Sequence, residues 1–302
     1  MKGIYVLGSL NCDLTIRAPY LPERGETLKG SDFLMTAGGK GANQAYACAK
    51  LGGTVKMAGA VGKDAFGDML LESLRGVGVD ISCIRSTDKS TGVAVITVIG
   101  GDNRIILSEG ANGVVDEDDV QNLLRDAREG DIFVTQLENP YPVVLYGLRI
   151  SKEKGLYTVF NPAPAREDVL EAIGYADLIL PNRKELRLLS GKEDIDEGCK
   201  HLLEAGAKAV IVTLGENGSL LVTENGQRKI ASVHCGETLD TTGAGDTFCG
   251  ALCARLAEGE TLEKAAHFAS VCSGIAVTRR GAQIAVPTKE EVVALGKIFS
   301  ME

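Results

Sequence analysis

Between Leu239 and Ala254 the chain reads Leu-Asp-Thr-Thr-Gly-Ala-Gly-Asp-Thr-Phe-Cys-Gly-Ala-Leu-Cys-Ala. The turn Gly243-Ala244-Gly245 leads into Asp246 and then into small and apolar residues that predict a buried helix beginning near Gly245. Free backbone N–H groups at such a start, reinforced by the helix dipole, form a site for an anion such as a phosphoryl group. A carboxylate is a poor neighbour for a bound phosphate unless it takes a proton from a hydroxyl attacking phosphorus, so Asp246 is a candidate general base. The plainer alternative is an acidic residue that only complements the helix dipole.

A second glycine loop, Ala37-Gly38-Gly39-Lys40-Gly41-Ala42-Asn43-Gln44-Ala45, runs into a small-residue helix ending near Leu51. It predicts another cradle, or else a tight packing turn before a helix. Neither loop has the Gly-x-x-x-x-Gly-Lys-Ser/Thr pattern, and no Gly-x-Gly-x-x-Gly follows the first strand, which disfavours P-loop and dinucleotide-binding folds. Asn11 and Asp13 follow a predicted strand over Met1–Leu10, at the end where α/β sheets meet ligands, and they could equally cap a turn. Asn182 and Glu185, three residues apart after the strand Leu178–Pro181, fit a helix-capping box.

The elements that must position these groups alternate between strand and helix periods. After Asn112 the pattern predicts a helix near Asp116–Ala127, strand Asp131–Thr135, helix Tyr141–Lys154, strand Tyr157–Asn161, helix Ala165–Ile173 and strand Leu178–Pro181. Helices Arg183–Ser190 and Ile195–Ala205, strand Ala209–Leu214 and a hairpin at Asn225-Gly226 follow, with helices Leu262–Thr278 and Thr288–Phe299 at the end. Earlier, Val55–Val61 predicts a strand and Phe66–Arg75 a helix. This order predicts an α/β fold, a doubly wound and mostly parallel sheet flanked by helices.

Two stretches interrupt it. Thr15–Arg17 with Ser31–Met35, and Val93–Ile99 with Arg104–Leu107 across a turn at Gly100-Gly101-Asp102-Asn103, predict short antiparallel pairs. Each is too small to be stable alone, so together they would form a four-stranded β lid. The main domain is then 1–13, 37–90 and 108–302, and the lid 14–36 and 91–107.

With 302 residues, 44% hydrophobic and 24% charged, the chain suits a globular enzyme with a large core. The net charge of −9, without a basic run, argues against nucleic-acid or membrane partners. No tract is long and apolar enough for a membrane span, and the start is too short and polar for a signal peptide, so the expected location is cytoplasmic. The eight cysteines include no Cys-x-x-Cys pair and the three histidines are scattered, so Cys249 and Cys253, four apart, predict core packing rather than a metal face.

The pairing of Gly38-Gly39-Lys40-Gly41-Ala42-Asn43 with Asp240-Thr241-Thr242-Gly243-Ala244-Gly245-Asp246 resembles the two signatures of the ribokinase, or phosphofructokinase-B-type, carbohydrate kinase family. Leu7–Asp13, Gln136-Leu137-Glu138, Asn161–Arg166 and Thr278–Gln283 are also similar, so the resemblance spans nearly the whole chain. It implies an ATP-dependent kinase of a pentose, D-ribose foremost, acting on the 5-hydroxyl. Deoxyribokinase, fructokinase, adenosine kinase or a non-catalytic sugar-binding regulator are the alternatives.

By that resemblance Asn11, Asp13, Gly39, Lys40, Asn43 and Glu138 would line the sugar pocket, with Ala94, Ile96 and Leu107 as apolar lid contacts and Asp246 as base. Gly243, Ala244 and Gly245 would form the anion hole. Asn182 and Glu185 would lie near phosphate and Mg²⁺, acting through its hydration shell. Thr213, Gly215, Glu216, Gly218, Gly245 and Ser270 would border the nucleotide, Ser270 standing in place of a histidine. A K⁺ site is implied at Asp240, Thr242, Ala276, Arg279, Gly281 and Ala285, where alanine replaces the family's serine. A homodimer through the lid sheet is implied as well.

Overall fold

A computed structural model describes residues 1–100 and 102–299, with residues 296–299 described by backbone alone. In chain order the elements are β1 (Gly3–Leu7), β2 (Asn11–Arg17), β3 (Ser31–Gly38), α1 (Lys40–Lys50), β4 (Thr54–Gly62), α2 (Ala65–Gly76), β5 (Asp80–Thr87), β6 (Gly92–Ile99) and β7 (Asp102–Ser108). They continue with α3 (Glu117–Leu123), β8 (Ile132–Thr135), α4 (Tyr141–Glu153), β9 (Tyr157–Phe160), α5 (Leu170–Gly174), β10 (Leu178–Ile179), α6 (Arg183–Ser190), α7 (Ile195–Glu204) and β11 (Ala209–Thr213). The hairpin β12 (Ser219–Thr223) and β13 (Gly226–Ile230) and the helices α8 (Ala244–Ala257), α9 (Leu262–Ala276) and α10 (Lys289–Phe299) complete the chain.

The large sheet has nine strands in the order β13-β12-β11-β10-β9-β8-β1-β4-β5. From β11 to β5 all neighbours are parallel, and the two pairs at one edge, β11–β12 and β12–β13, are antiparallel. Side chains alternate between two faces: Ile4, Val6, Ile132 and Val134 pack under α1, α2, α8 and α9, whereas Leu7 and Phe133 pack under α3, α4 and α7. From β1 the chain winds outward through β4 and β5, and from β8 it winds the other way, so the topological switch lies between β1 and β8. Ligands of such sheets bind at the carboxyl ends of those two strands.

The small sheet runs β3-β2-β6-β7, with β2 and β6 parallel and the other pairs antiparallel. It is supplied by the two interrupting stretches, but its strands reach further than 14–36 and 91–107, taking in Asn11–Asp13, Ala37–Gly38 and Ser108. The expected turn at Gly100–Asn103 includes Gly101, which lies outside the described residues.

Three expectations change. The strand over Met1–Leu10 stops at Leu7, and Asn11 begins β2 in the small sheet. The helix placed at Asp116–Ala127 ends at Leu123, with Leu124 as its C-cap. The helix placed at Ala165–Ile173 starts only at Leu170: Pro162 and Pro164 supply no N–H donors, and Arg166 turns locally onto Asp168 and over the Tyr141 ring. The strand β5 has no counterpart among the expected elements: as an edge strand it mixes Asp80, Arg85 and Ser86 among its apolar positions.

Candidate active site

The close meeting of the first glycine loop with the end of β1 depends on missing side chains. A Cβ on Gly8 would stand 2.3 Å from Gln136 Oε1 and 2.5 Å from the Gly41 Cα. Gly39 has φ +90°, and a Cβ there would lie 2.7 Å from the Asn11 nitrogen. A Cβ on Gly38 would overlap the Asp13 carboxylate, at 2.2 Å from Oδ2. The glycines therefore bring α1, the end of β1 and the start of β2 into contact at the switch point.

Glu138, just past β8, collects the loop. Its Oε2 accepts from the Ser9 hydroxyl, from Asn11 Nδ2 at 3.3 Å and from the Lys40 amide at 3.1 Å. Asn11 is fixed on its other side by Asn112, whose Nδ2 donates to Asn11 Oδ1 at 2.7 Å and to the Leu10 carbonyl at 3.1 Å. Asn112 Oδ1 in turn accepts from the Leu10 N–H at 2.9 Å. Asp13 is buried and shares a row across the small sheet with Ala94 and Leu107, and the next row on that face pairs Thr15 with Ile96. Ala94 and Ile96 are buried beneath the sheet, while Leu107 is 47% exposed.

Asp246 occupies the first turn of α8, behind Gly243 in the left-handed region at φ 71°. The α8 start is free of a side-chain cap. Its carboxylate accepts from Asn43 Nδ2 at 3.1 Å on Oδ2 and from Gln44 Nε2 at 2.9 Å on Oδ1. Asn43 Oδ1 is buried with no partner among the described residues, an acceptor that a ligand hydroxyl can satisfy.

Four carboxylates surround one ammonium here. Burial, reinforced by Glu138 and Asp246 and opposed by Lys40, pushes the Asp13 carboxyl up to about 7. Lys40 is held above its ordinary value, first by Asp246 and against burial, with Glu138, Glu185 and Asp13 adding to the effect. Glu185 is raised by burial and by Asp246, against the Asn182 N–H and Lys40. An acidic pocket of this kind suits a neutral polyol, whose hydroxyls donate to carboxylates, and Lys40 can offset the charge of a transferring phosphoryl group.

On the far side of the α8 start lies a cavity of about 420 Å³. Thr213, Gly215, Glu216, Gly218, Gly245 and Ser270 line it, as does the Ala244 start of α8. Asn182 and Glu185 are not among its lining residues. They form a complete capping box on α6: Asn182 Oδ1 accepts from the Lys184 and Glu185 amides, and Glu185 Oε2 accepts from the Asn182 amide at 2.7 Å. Among the described residues Glu185 Oε1 has no hydrogen-bond partner. Sequence reasoning missed Ser232, His234 and Phe248, which also line the cavity. The loop after β13 carries no local signature, and the apolar spacing of α8 hides Phe248 among its core positions.

Asp240 ties two loops together. Its Oδ1 accepts from the Thr242 amide and its Oδ2 from the Gly281 amide, each at 2.9 Å. Burial raises its carboxyl, but these bonds outweigh burial and hold it below the ordinary value, with Arg17 contributing. Asp240, Thr242 and Gly281 are therefore adjacent. The Ala276 carbonyl already accepts from the Arg279 N–H at 3.0 Å, the Arg279 side chain is engaged with Glu291 at 2.7 Å, and Ala285 is buried in a short 3-10 turn. Among the described residues no group of three His, Cys, Asp or Glu could hold a metal, and no helix is long and apolar enough to cross a membrane. Cys249 and Cys253 are fully buried in the core.

The chain is similar to known proteins over nearly its whole length. Ribokinase of Schizosaccharomyces pombe is 40% identical over 308 residues, covering 97% of each chain. The crystal structure of ribokinase from Thermotoga maritima superposes with a TM-score of 0.90 at 34% identity, over 98% of this chain and all of that one. Arabidopsis thaliana ribokinase, solved in complex with ribose and ATP, superposes with a TM-score of 0.89 at 30% identity over 97% of this chain and 98% of that one. The family model "pfkB family carbohydrate kinase" matches residues 1–289, both glycine loops and the β lid strands included, and the chain belongs to that family.

Proposed function

We propose that this protein is an ATP-dependent ribokinase, transferring the γ-phosphoryl group of ATP to the 5-hydroxyl of D-ribose. The observation that supports the reading most is that Asp246 is bonded to Asn43 and Gln44 of the first glycine loop while Ala244 and Gly245, just before it, line a cavity of about 420 Å³. Asn11, Asp13, Lys40, Asn43 and Glu138 orient the sugar, with the unpartnered Asn43 Oδ1 and the Asp13 carboxylate accepting from its hydroxyls. Asp246 removes the proton of the 5-hydroxyl as the new P–O bond forms. The N–H groups at Gly243–Asp246 receive charge on the phosphoryl oxygens, and the small sheet with Ala94 and Ile96 keeps water out.

The donor set fits two cations. Glu185, through Oε1, and Asn182 would hold Mg²⁺ through its waters; a bound Mg²⁺ neutralises phosphate oxygens. Asp240 with the Thr242 and Gly281 backbone would hold K⁺, with Ala276, Arg279 and Ala285 as further positions. The outward face of the lid, where Phe33, Met35, Val95 and Ile106 are exposed, would be covered by a second copy in a homodimer acting in the cytoplasm.

A coupled ADP-release assay with ribose, deoxyribose, fructose and adenosine tests the reading. Turnover should be fastest with ribose, and Asp246→Asn should bind ribose yet lose at least about 10²-fold in kcat. Preferred turnover of another substrate reassigns the kinase, and ribose binding without turnover identifies a regulator.

A further inference from the structure

We infer that Gln44, locked by Gln136 and Cys249, is a positioning residue for the Asp246 carboxylate; the inference rests on Asp246 being the general base. Gln44 follows Asn43 on α1 and is fully buried, so it reaches no ligand. Its Nε2 donates to Asp246 Oδ1 at 2.9 Å, while Asn43 holds Oδ2. The amide cannot turn round. Its Oε1 accepts from Gln136 Nε2 at 2.7 Å and from the Cys249 thiol at 3.5 Å, so a flip would set oxygen against carboxylate oxygen and nitrogen against nitrogen.

Each anchor is itself buried. Gln136 is buried past the end of β8 in the space that glycine at position 8 leaves open. Cys249 is buried one turn beyond Asp246. At Gly250 a Cβ would lie 2.8 Å from the Gln44 carbonyl oxygen, so α8 presses directly on α1. The base is thus held at both oxygens by amides from one helix, and its orientation is decided at the ends of β1 and β8. The remaining lone pairs are left for the attacking hydroxyl.

The charged and titratable groups that face Asp246 are Lys40 from α1, Asp13 from β2, Glu185 from α6 and the Cys249 thiol from α8. Among them Gln44 supplies a neutral donor that favours the ionised base without adding charge. Gln44→Met removes that donor at similar volume. Ribose affinity by calorimetry should stay within about twofold, kcat should fall about tenfold, and the acid limb of the kcat–pH profile should move up by about one unit. Gln44→Glu, which sets a second carboxyl against the first, should move the limb further. Gln136→Met, one bond removed, should show the same pattern more weakly and serves where a Gln44 variant fails to fold. An unmoved acid limb in the folded variants, with or without a loss of kcat, overturns the inference while leaving the base assignment intact. Retained turnover in Asp246→Asn instead overturns the base assignment, and the inference with it.

Discussion

Asp13 is a carboxyl buried among carboxyls, and replacing it should make the free protein more stable. Its pKa stands at about 7 against an ordinary 3.8, and no hydrogen bond to it is present among the described residues. Because the folded value is the higher, the proton is bound more tightly in the folded state. The stability this group contributes is then greatest below 3.8, declines as pH rises, and is fully lost above about 7. The difference is roughly 3 pH units, which at about 1.4 kcal/mol each is a cost of about 4 kcal/mol at pH 8. At pH 5 only about a third of that cost has accrued, roughly 1–2 kcal/mol. Asp13→Asn removes the titration and keeps the shape. In urea unfolding without sugar, the variant's advantage over the parent should therefore grow by about 2–3 kcal/mol between pH 5 and pH 8. A difference that is flat across that range would refute the buried, uncompensated carboxyl. The same residue should cost affinity when lost, since ribose hydroxyls would donate to it and draw its pKa down. Sugar binding near pH 6.5 should accordingly release a fraction of a proton, seen as a buffer-dependent binding enthalpy.

Three further outcomes follow from the structure. Gly39→Ala should destabilise the fold by roughly 1–3 kcal/mol and raise the sugar KM, because φ +90° and a backbone nitrogen 2.7 Å from the new Cβ leave it no room; an unchanged melting temperature would contradict this. Replacing Na⁺ by K⁺ should raise kcat through the Asp240 loop, and equal rates in the two salts would count against that site. Ile106→Glu, at a position 74% exposed on the lid's outward face, should convert a dimer to a monomer in sedimentation velocity without unfolding it. An unaltered sedimentation coefficient, dimeric or monomeric, would sink the lid-mediated dimer.

Local features were the legible ones. The α8 start could be read because Gly-Ala-Gly-Asp before an apolar run is a local event, and α6 because its capping box spans four residues. The same locality left Asn182 and Glu185 ambiguous, since one pattern serves both a cap and a cation. What could not be read are bonds between distant residues: Asn112 to Leu10 and Asn11, and Gln136 to Gln44. Amides and turn glycines give no periodic trace, and their partners are fixed only when β1 and β8 come side by side. The break after Leu7 was hidden for a related reason, as Leu10 and Cys12 continue an apolar run although the chain has already changed sheets.

The single side chain of Asn112 stitches Leu10 and Asn11 to the point where the chain returns from β7, and a Cβ on Gly92, where β6 begins, would strike it at 2.3 Å. The crossings between the two sheets are thereby gathered into one knot, and on the proposed reading that knot would also be the floor of the polyol pocket. A lid hung in this way has its pivot inside the binding site. Tilting the small sheet would turn Asn11 and Asp13, so on the proposed reading the pocket would measure its ligand with the same residues that carry the door.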